Sequence, residues 1–276
     1  MNRPVRPANR PDKPKRGPDL GTAGPGSGTH RMAEGIEVWI DFDGTLVVPN
    51  VAKILVEEFG RDGRRISEEV DRLLHAGQIT LREAWEREVA VLPADRLDEM
   101  ARYAREHAPL RRGGRELVDL LVRHGVPTTV ISGGVDFYIE PILQRESIPW
   151  PHRSDTLTRG PDGVLRVAHP FGHATCRLCG ICKAQAVRSR DGTTSVFIGD
   201  GSTDRYAAEV ADVVFARYRL LDYCRSRGIP CYPYDDFGPV VDWLRARLET
   251  PSRPLDPKAS GLSDSMCPIS RDLRPR

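Results

Sequence analysis

Asp41-Phe42-Asp43-Gly44-Thr45 stands directly behind the apolar run Ile36-Glu37-Val38-Trp39-Ile40. Two carboxylates two residues apart therefore fall where a buried strand breaks into a loop. Side chains two apart on an extended chain point the same way, but a turn beginning at Asp43 brings one side chain and one backbone carbonyl onto a common point. Such a point suits a magnesium ion and a phosphate, since magnesium prefers oxygen ligands. Carboxylates buried without partners are costly, so this pair reads as chemistry.

Other elements must carry further groups to that loop. Residues 51–110 predict a helix-rich stretch, with Val51, Ile54, Leu55 and Phe59 at helical spacing. A helix near 114–124 ends at Gly125, a strand follows at Thr128-Thr129-Val130-Ile131, and a helix spans 136–145. Residues 146–182 read as irregular. A helix from Lys183, a strand Ser195-Val196-Phe197-Ile198, a helix over 204–210, a strand Val213-Val214-Phe215 and a helix over 238–248 complete the pattern. Strands alternating with helices imply an α/β fold whose parallel sheet is covered on both faces. Ligands bind such sheets at the carboxyl ends of the strands. Three strands end there in polar, Gly-containing turns: Asp41–Thr45, Ser132-Gly133-Gly134 and Gly199–Asp204.

Asp41, Asp43, Ser132, Lys183, Asp200 and Asp204, in that order, resemble the four motifs of the haloacid-dehalogenase-like hydrolase superfamily over roughly 36–248. The resemblance implies a Rossmann-like three-layer parallel-sheet core, 34–50 and 111–250, with a small helical cap, 51–110, inserted after the first strand. It implies that Asp41 attacks phosphorus to give an aspartyl-phosphate, and that Asp43 protonates the leaving alkoxide and then deprotonates water. Magnesium would be held by the Asp41 carboxylate, the Asp43 backbone carbonyl and Asp200. Thr45, Ser132, the Gly133 amide and Lys183 would bind the phosphoryl group, and Asp204 would orient Lys183 or a metal-bound water. Halide leaving groups need no proton, so Asp43 favours phosphoryl chemistry over dehalogenation.

From Cys176 onward the chain resembles the methionine-salvage phosphatases, relatives of the phosphoserine phosphatases. The resemblance rests on Cys176-Arg177-Leu178-Cys179-Gly180-Ile181-Cys182-Lys183, Val214-Phe215-Ala216-Arg217 and Pro233-Tyr234-Asp235-Asp236-Phe237. Phosphoserine phosphatases usually place a Glu nine residues after the nucleophile to bind the substrate's amino group. Here that position is Asn50, which cannot supply the countercharge. The expectation is a magnesium-dependent phosphomonoesterase acting on a small phosphorylated metabolite. Its rivals are a phosphoserine phosphatase-like enzyme, a phosphotransferase, and a non-catalytic binding or regulatory protein on the same fold.

The chain has 276 residues, 39% of them hydrophobic, with a net charge of +2. No apolar stretch is long enough to span a bilayer. Residues 1–31 carry a net +5 and 251–276 a net +2, leaving the body at −5. The basic character thus belongs to the ends, and neither a nucleic-acid nor a membrane partner is expected. Residues 1–33 read as a disordered basic tail and 251–276 as a second disordered tail. Met32 is the expected start codon. The basic N-terminus lacks an apolar h-region, so a reducing cytoplasm is the expected setting for the six cysteines. His173, Cys176, Cys179 and Cys182 recur at intervals of three within the segment 146–182. Zinc would accept such a set, and reduced thiols in a tight loop are the alternative. An iron–sulfur run would need a fourth cysteine at fixed spacing, which the run lacks. His169 and His173 are also candidates to line the substrate mouth.

Overall fold

The computed structural model describes residues 35–188, 193–250, 262 and 264–272. The basic segment 1–33, Met32 included, lies outside them. Strand β1 (Ile36–Ile40) forms the middle of the sheet and is followed by four helices: α1 (Val51–Phe59), α2 (Gly63–His75), α3 (Leu81–Val89) and α4 (Leu97–His107). Next come α5 (Gly114–Arg123), β2 (Thr128–Val135), α6 (Asp136–Arg145), β3 (His152–Arg159), β4 (Leu165–Ala168) and α7 (Lys183–Val187). The remaining elements are β5 (Thr194–Gly199), α8 (Arg205–Ala208), β6 (Val213–Ala216), α9 (Tyr218–Arg227), β7 (Tyr232–Pro233), α10 (Gly238–Glu249) and α11 (Pro268–Asp272).

The sheet has seven strands in the order β4-β3-β2-β1-β5-β6-β7. All neighbours are parallel except β3 and β4, so the α/β parallel-sheet expectation holds. Along β1, Ile36 to Ile40 pair in register with Thr194 to Ile198 of β5. Alternate side chains of a strand face opposite sides, and both sides are filled. Val38 and Ile40 join Val130, Val196 and Leu117 on one side. Trp39 joins Ile131, Phe197 and Val214 on the other. Full burial of a side chain such as Ile40 contributes about 2 kcal/mol. Leu55, Val89 and Met100 of α1, α3 and α4 merge into the first of these layers.

Three expectations need correction. The segment 146–182 is not irregular throughout, because it contains the β3–β4 hairpin. Strand β2 does not stop at Ile131. It runs to Val135 with a register shift between the two, so Ser132-Gly133-Gly134 lies within its distorted end. The C-terminal tail also fails as an expectation at its far end, where Ser265, Cys267 and Ser270 are buried and α11 packs on α7.

Candidate functional site

Gly44 lets the chain double back behind β1. Its φ of +77° is open to glycine at little cost, and a Cβ there would stand 2.7 Å from Asp200 Oδ2. The Leu46 N–H donates to the Asp41 carbonyl at 3.2 Å, closing the turn. Arg111 then ties it down by donating to the Thr45 carbonyl at 2.9 Å, to the Gly44 carbonyl, and to the Asp235 carbonyl at 3.1 Å. Arg217 adds a bond to the Gly44 carbonyl at 3.1 Å. Arg111 carries no sequence signal, and Arg217, though part of the Val214-Phe215-Ala216-Arg217 run, gives no hint there that it grips a backbone carbonyl.

The two acids of the turn face different company. Asp41 Oδ1 accepts from Lys183 Nζ at 2.5 Å, and the same amine donates to Asp204 Oδ1 at 2.7 Å. Asp204 Oδ2 accepts the Asp200 and Gly201 N–H groups at 2.9 Å each. The Thr45 hydroxyl donates to Asp200 Oδ1 at 3.0 Å, so it orients an acid in addition to any part it plays toward phosphate. Asp43 turns away from this set. Its Oδ1 accepts the Val51 N–H at 2.8 Å at the start of α1. Its Oδ2 accepts the Tyr138 hydroxyl at 2.7 Å and the Ser132 hydroxyl at 3.3 Å. Tyr138 was missed in the sequence, since only the packing of α6 against β2 shows that it reaches back to Asp43.

Burial raises both acids, and the neighbours that oppose it differ. Burial pushes the Asp41 carboxyl well above its usual range, Asp204 adds to that, and Lys183 opposes it. Burial also raises Asp43, against the lowering effect of the Tyr138 hydroxyl and the α1 N–H groups. Burial lifts Asp200 to about 6, with help from Asp204. For Lys183 burial disfavours the charge, yet Asp204 and Asp41 outweigh it and its pKa rises.

Carboxylate oxygens of Asp41, Asp200 and Asp204 lie within 4.8 Å of one another, the one such group of potential metal ligands among the described residues. Crowded, buried oxygen donors of like charge fit a hard divalent cation. The Asp43 carboxylate is outside the group, and Asp204, expected farther out, is inside it. Above the site lies a cavity of about 350 Å³. Asp41, Asp43, Ser132 and Gly133 line its floor, and Leu74, Trp85, Glu88 and Ile181 are among its walls.

The zinc expectation is not supported. His173, Cys176, Cys179 and Cys182 do not gather their ligand atoms within that distance. His173 Nδ1 accepts the Thr175 and Cys176 N–H groups at 3.3 and 3.2 Å, turned into its own loop. Nor do the histidines line the cavity. His169 sits between Asp155 Oδ2, 2.9 Å from Nδ1, and Glu86 Oε1, 3.2 Å from Nε2, so it joins β3 to α3.

A family model described as haloacid dehalogenase-like hydrolase matches residues 38–209. A curated protein named 2-hydroxy-3-keto-5-methylthiopentenyl-1-phosphate phosphatase, from Bacillus cereus, is 30% identical over 223 residues, covering 79% of this chain and 99% of that protein. A protein of the same name from another Bacillus cereus strain is 29% identical over 220 residues, covering 78% and 98%. Among solved structures, a phosphoserine phosphatase from T. onnurineus matches with a TM-score of 0.59 at 18% identity, over 79% of this chain and 98% of that one. A phospho-aspartyl intermediate analogue of phosphoserine phosphatase matches with a TM-score of 0.57 at 16% identity, over 76% and 98%. At such identities the structural likeness speaks for the fold alone.

Proposed function

Because the chain belongs to the haloacid dehalogenase-like hydrolase family and is a phosphatase, we propose that it hydrolyses a small phosphomonoester in two displacements at Asp41, with Asp43 moving the proton. One observation carries this reading: the two acids of a single turn are held apart, Asp41 against the Lys183 ammonium and Asp43 among uncharged donors. At Asp41 the Lys183 ammonium opposes the effect of burial and so works toward the ionised form that a nucleophile needs. Burial without a cation favours the protonated form that an acid needs.

Asp41 attacks phosphorus while Asp43 gives its proton to the departing oxygen. Asp43, now ionised, takes a proton from the water that hydrolyses the aspartyl-phosphate. Lys183, the Ser132 hydroxyl and the Gly133 amide bind phosphoryl oxygens, and Asp204 holds Lys183 in place. Asp41, Asp200 and the Asp43 backbone carbonyl would hold magnesium, with the Asp204 carboxylate close by. When bound, the ion neutralises charge on the phosphoryl oxygens. Helices α1–α4 act as the cap that excludes water from the cavity.

Metal removal gives a direct test. In the metal-free protein the Asp200 pKa is raised from 3.8 to about 6. Ionising Asp200 therefore costs stability, and the cost builds as pH rises from 3.8 toward about 6 and stays above it. Magnesium at a hundred times its Kd should stabilise the fold by about 2.7 kcal/mol, read as a rise in Tm at pH 7. Asp200→Asn should abolish that rise while leaving the metal-free Tm equal or higher. A variant that still gains the full rise would contradict the ligand assignment.

For the substrate, Leu74, Trp85 and Ile181 give the cavity an apolar wall, which suits a phosphorylated metabolite with an apolar tail. The relatives' name points to an enol phosphate of the methionine-salvage kind. Phosphoserine fits less well, because the Asn50 side chain is used in accepting the Lys53 N–H at 2.9 Å. Glu88, pushed up to about 7 by burial and then by Asp71, is a weak countercharge for an amine. The kcat/KM for 2-hydroxy-3-keto-5-methylthiopentenyl-1-phosphate should exceed that for O-phosphoserine by at least about tenfold, the discrimination an apolar contact supplies. Equal values, or a preference for phosphoserine, would overturn the substrate assignment. Adding an acceptor alcohol should divert little phosphate from water.

A further inference from the structure

The fourth cysteine that the run at Cys176, Cys179 and Cys182 lacks comes from the C-terminal segment. Cys267, directly before Pro268, lines one small cavity together with those three. Its backbone is pinned there: the Cys267 N–H donates to the Ser265 hydroxyl at 3.1 Å, which itself donates to the buried Glu209 at 2.6 Å. Cys267 packs with Ala184, Tyr206 and Val210, and Cys179 lies against them. All four are free thiols.

Cysteine is serviceable as a small hydrophobe, and packing alone could account for one or two of these. It does not account for four free thiols, three from the loop before α7 and one from the distant segment before α11, meeting around one small cavity.

We propose that Cys176, Cys179, Cys182 and Cys267 ligate a cubane iron–sulfur cluster beside the phosphoryl site. Three cysteines at C-x₂-C-x₂-C spacing with a remote Cys-Pro reproduce the set that serves one cluster in bacterial ferredoxin-type sequences. A single zinc ion would draw all its sulfurs to roughly 2.3 Å from one point, and these cysteines are not gathered so closely. A cubane binds each thiolate at a different iron and so holds the sulfurs farther apart. A preformed cluster enters by ligand exchange: four S–H bonds become four Fe–S bonds, four protons leave, and no electron is transferred. Cys182 immediately precedes Lys183, so the cluster fixes the entry to α7 and ties it to α11. This inference stands apart from the phosphatase reading and can fail without it.

The full-length protein is reconstituted anaerobically with ferric iron, sulfide and dithiothreitol, desalted, and assayed for iron, acid-labile sulfide, zinc and visible absorbance. About four irons and four sulfides per chain are expected, with a broad visible band that dithionite bleaches. Cys267→Ser and, separately, Cys176→Ser should each bind less than half the wild-type iron. Cys231→Ser, outside the set, should bind as much as wild type. Less than one iron per chain in folded wild type, zinc without sulfide, or undiminished iron in both variants would overturn the proposal. Circular dichroism and magnesium-dependent hydrolysis of p-nitrophenyl phosphate establish that each sample is folded.

Discussion

Asp41→Asn should lower kcat by on the order of 10⁴-fold or more, the scale on which loss of a covalent nucleophile is felt. The amide keeps the shape of the carboxylate but cannot form the acyl phosphate. The fold should survive the change. Lys183 retains Asp204 at 2.7 Å, and the variant removes a carboxylate whose ionisation burial disfavours. Its Tm without metal should therefore equal or exceed that of wild type. Steady-state rates with magnesium and a melting curve on the same sample check both halves. A folded variant within about tenfold of wild type, a barrier change of only about 1.4 kcal/mol, would remove Asp41 from the mechanism.

Asp43→Asn should cost 10²- to 10⁴-fold, as expected for a general acid and base, and the loss should depend on the leaving group. An alkyl phosphate needs the proton, so it should lose most. p-Nitrophenyl phosphate leaves as a stable phenolate and should lose less in the first step. The pH profile carries the same information. Burial raises the Asp43 pKa, and the protonated acid disappears as pH climbs through that value. The kcat/KM for an alkyl phosphate should therefore fall on the alkaline side, and Asp43→Asn should flatten that limb. Tyr138→Phe deletes a hydrogen bond that favours the ionised carboxylate, so the limb should move to higher pH. Equal losses for both substrates, with the alkaline limb unchanged, would remove Asp43 as the proton donor.

The site was more legible in the sequence than its surroundings were. Asp41, Ser132, Lys183 and Asp200 are carried to one place by parallel strands and the helix starts beside them, and the alternation of apolar strands with helices is a local signal. The β3–β4 hairpin was missed although Gly160-Pro161-Asp162-Gly163 between two alternating runs marks a turn. That turn shares the segment 146–182 with Cys176, Cys179 and Cys182, whose spacing is the stronger local pattern. The roles of Tyr138, Arg111 and Arg217 were illegible for another reason. Each acts through a long-range contact, to Asp43 or to the carbonyls behind Asp43, and only the packed fold reveals it. Cys267 shares that reason. It sits in a Pro- and Ser-rich stretch whose composition reads as a tail, and its burial depends on Glu209, Tyr206 and the loop before α7.

The two-step account stands or falls on a covalent phosphate at Asp41. Enzyme mixed with substrate and magnesium, quenched in acid during turnover and treated with borohydride, would have its aspartyl-phosphate reduced to the alcohol. Peptide mass spectrometry should then find homoserine at position 41 and aspartate still at position 43. Turnover with aspartate intact at position 41, or homoserine at position 43, would contradict the account.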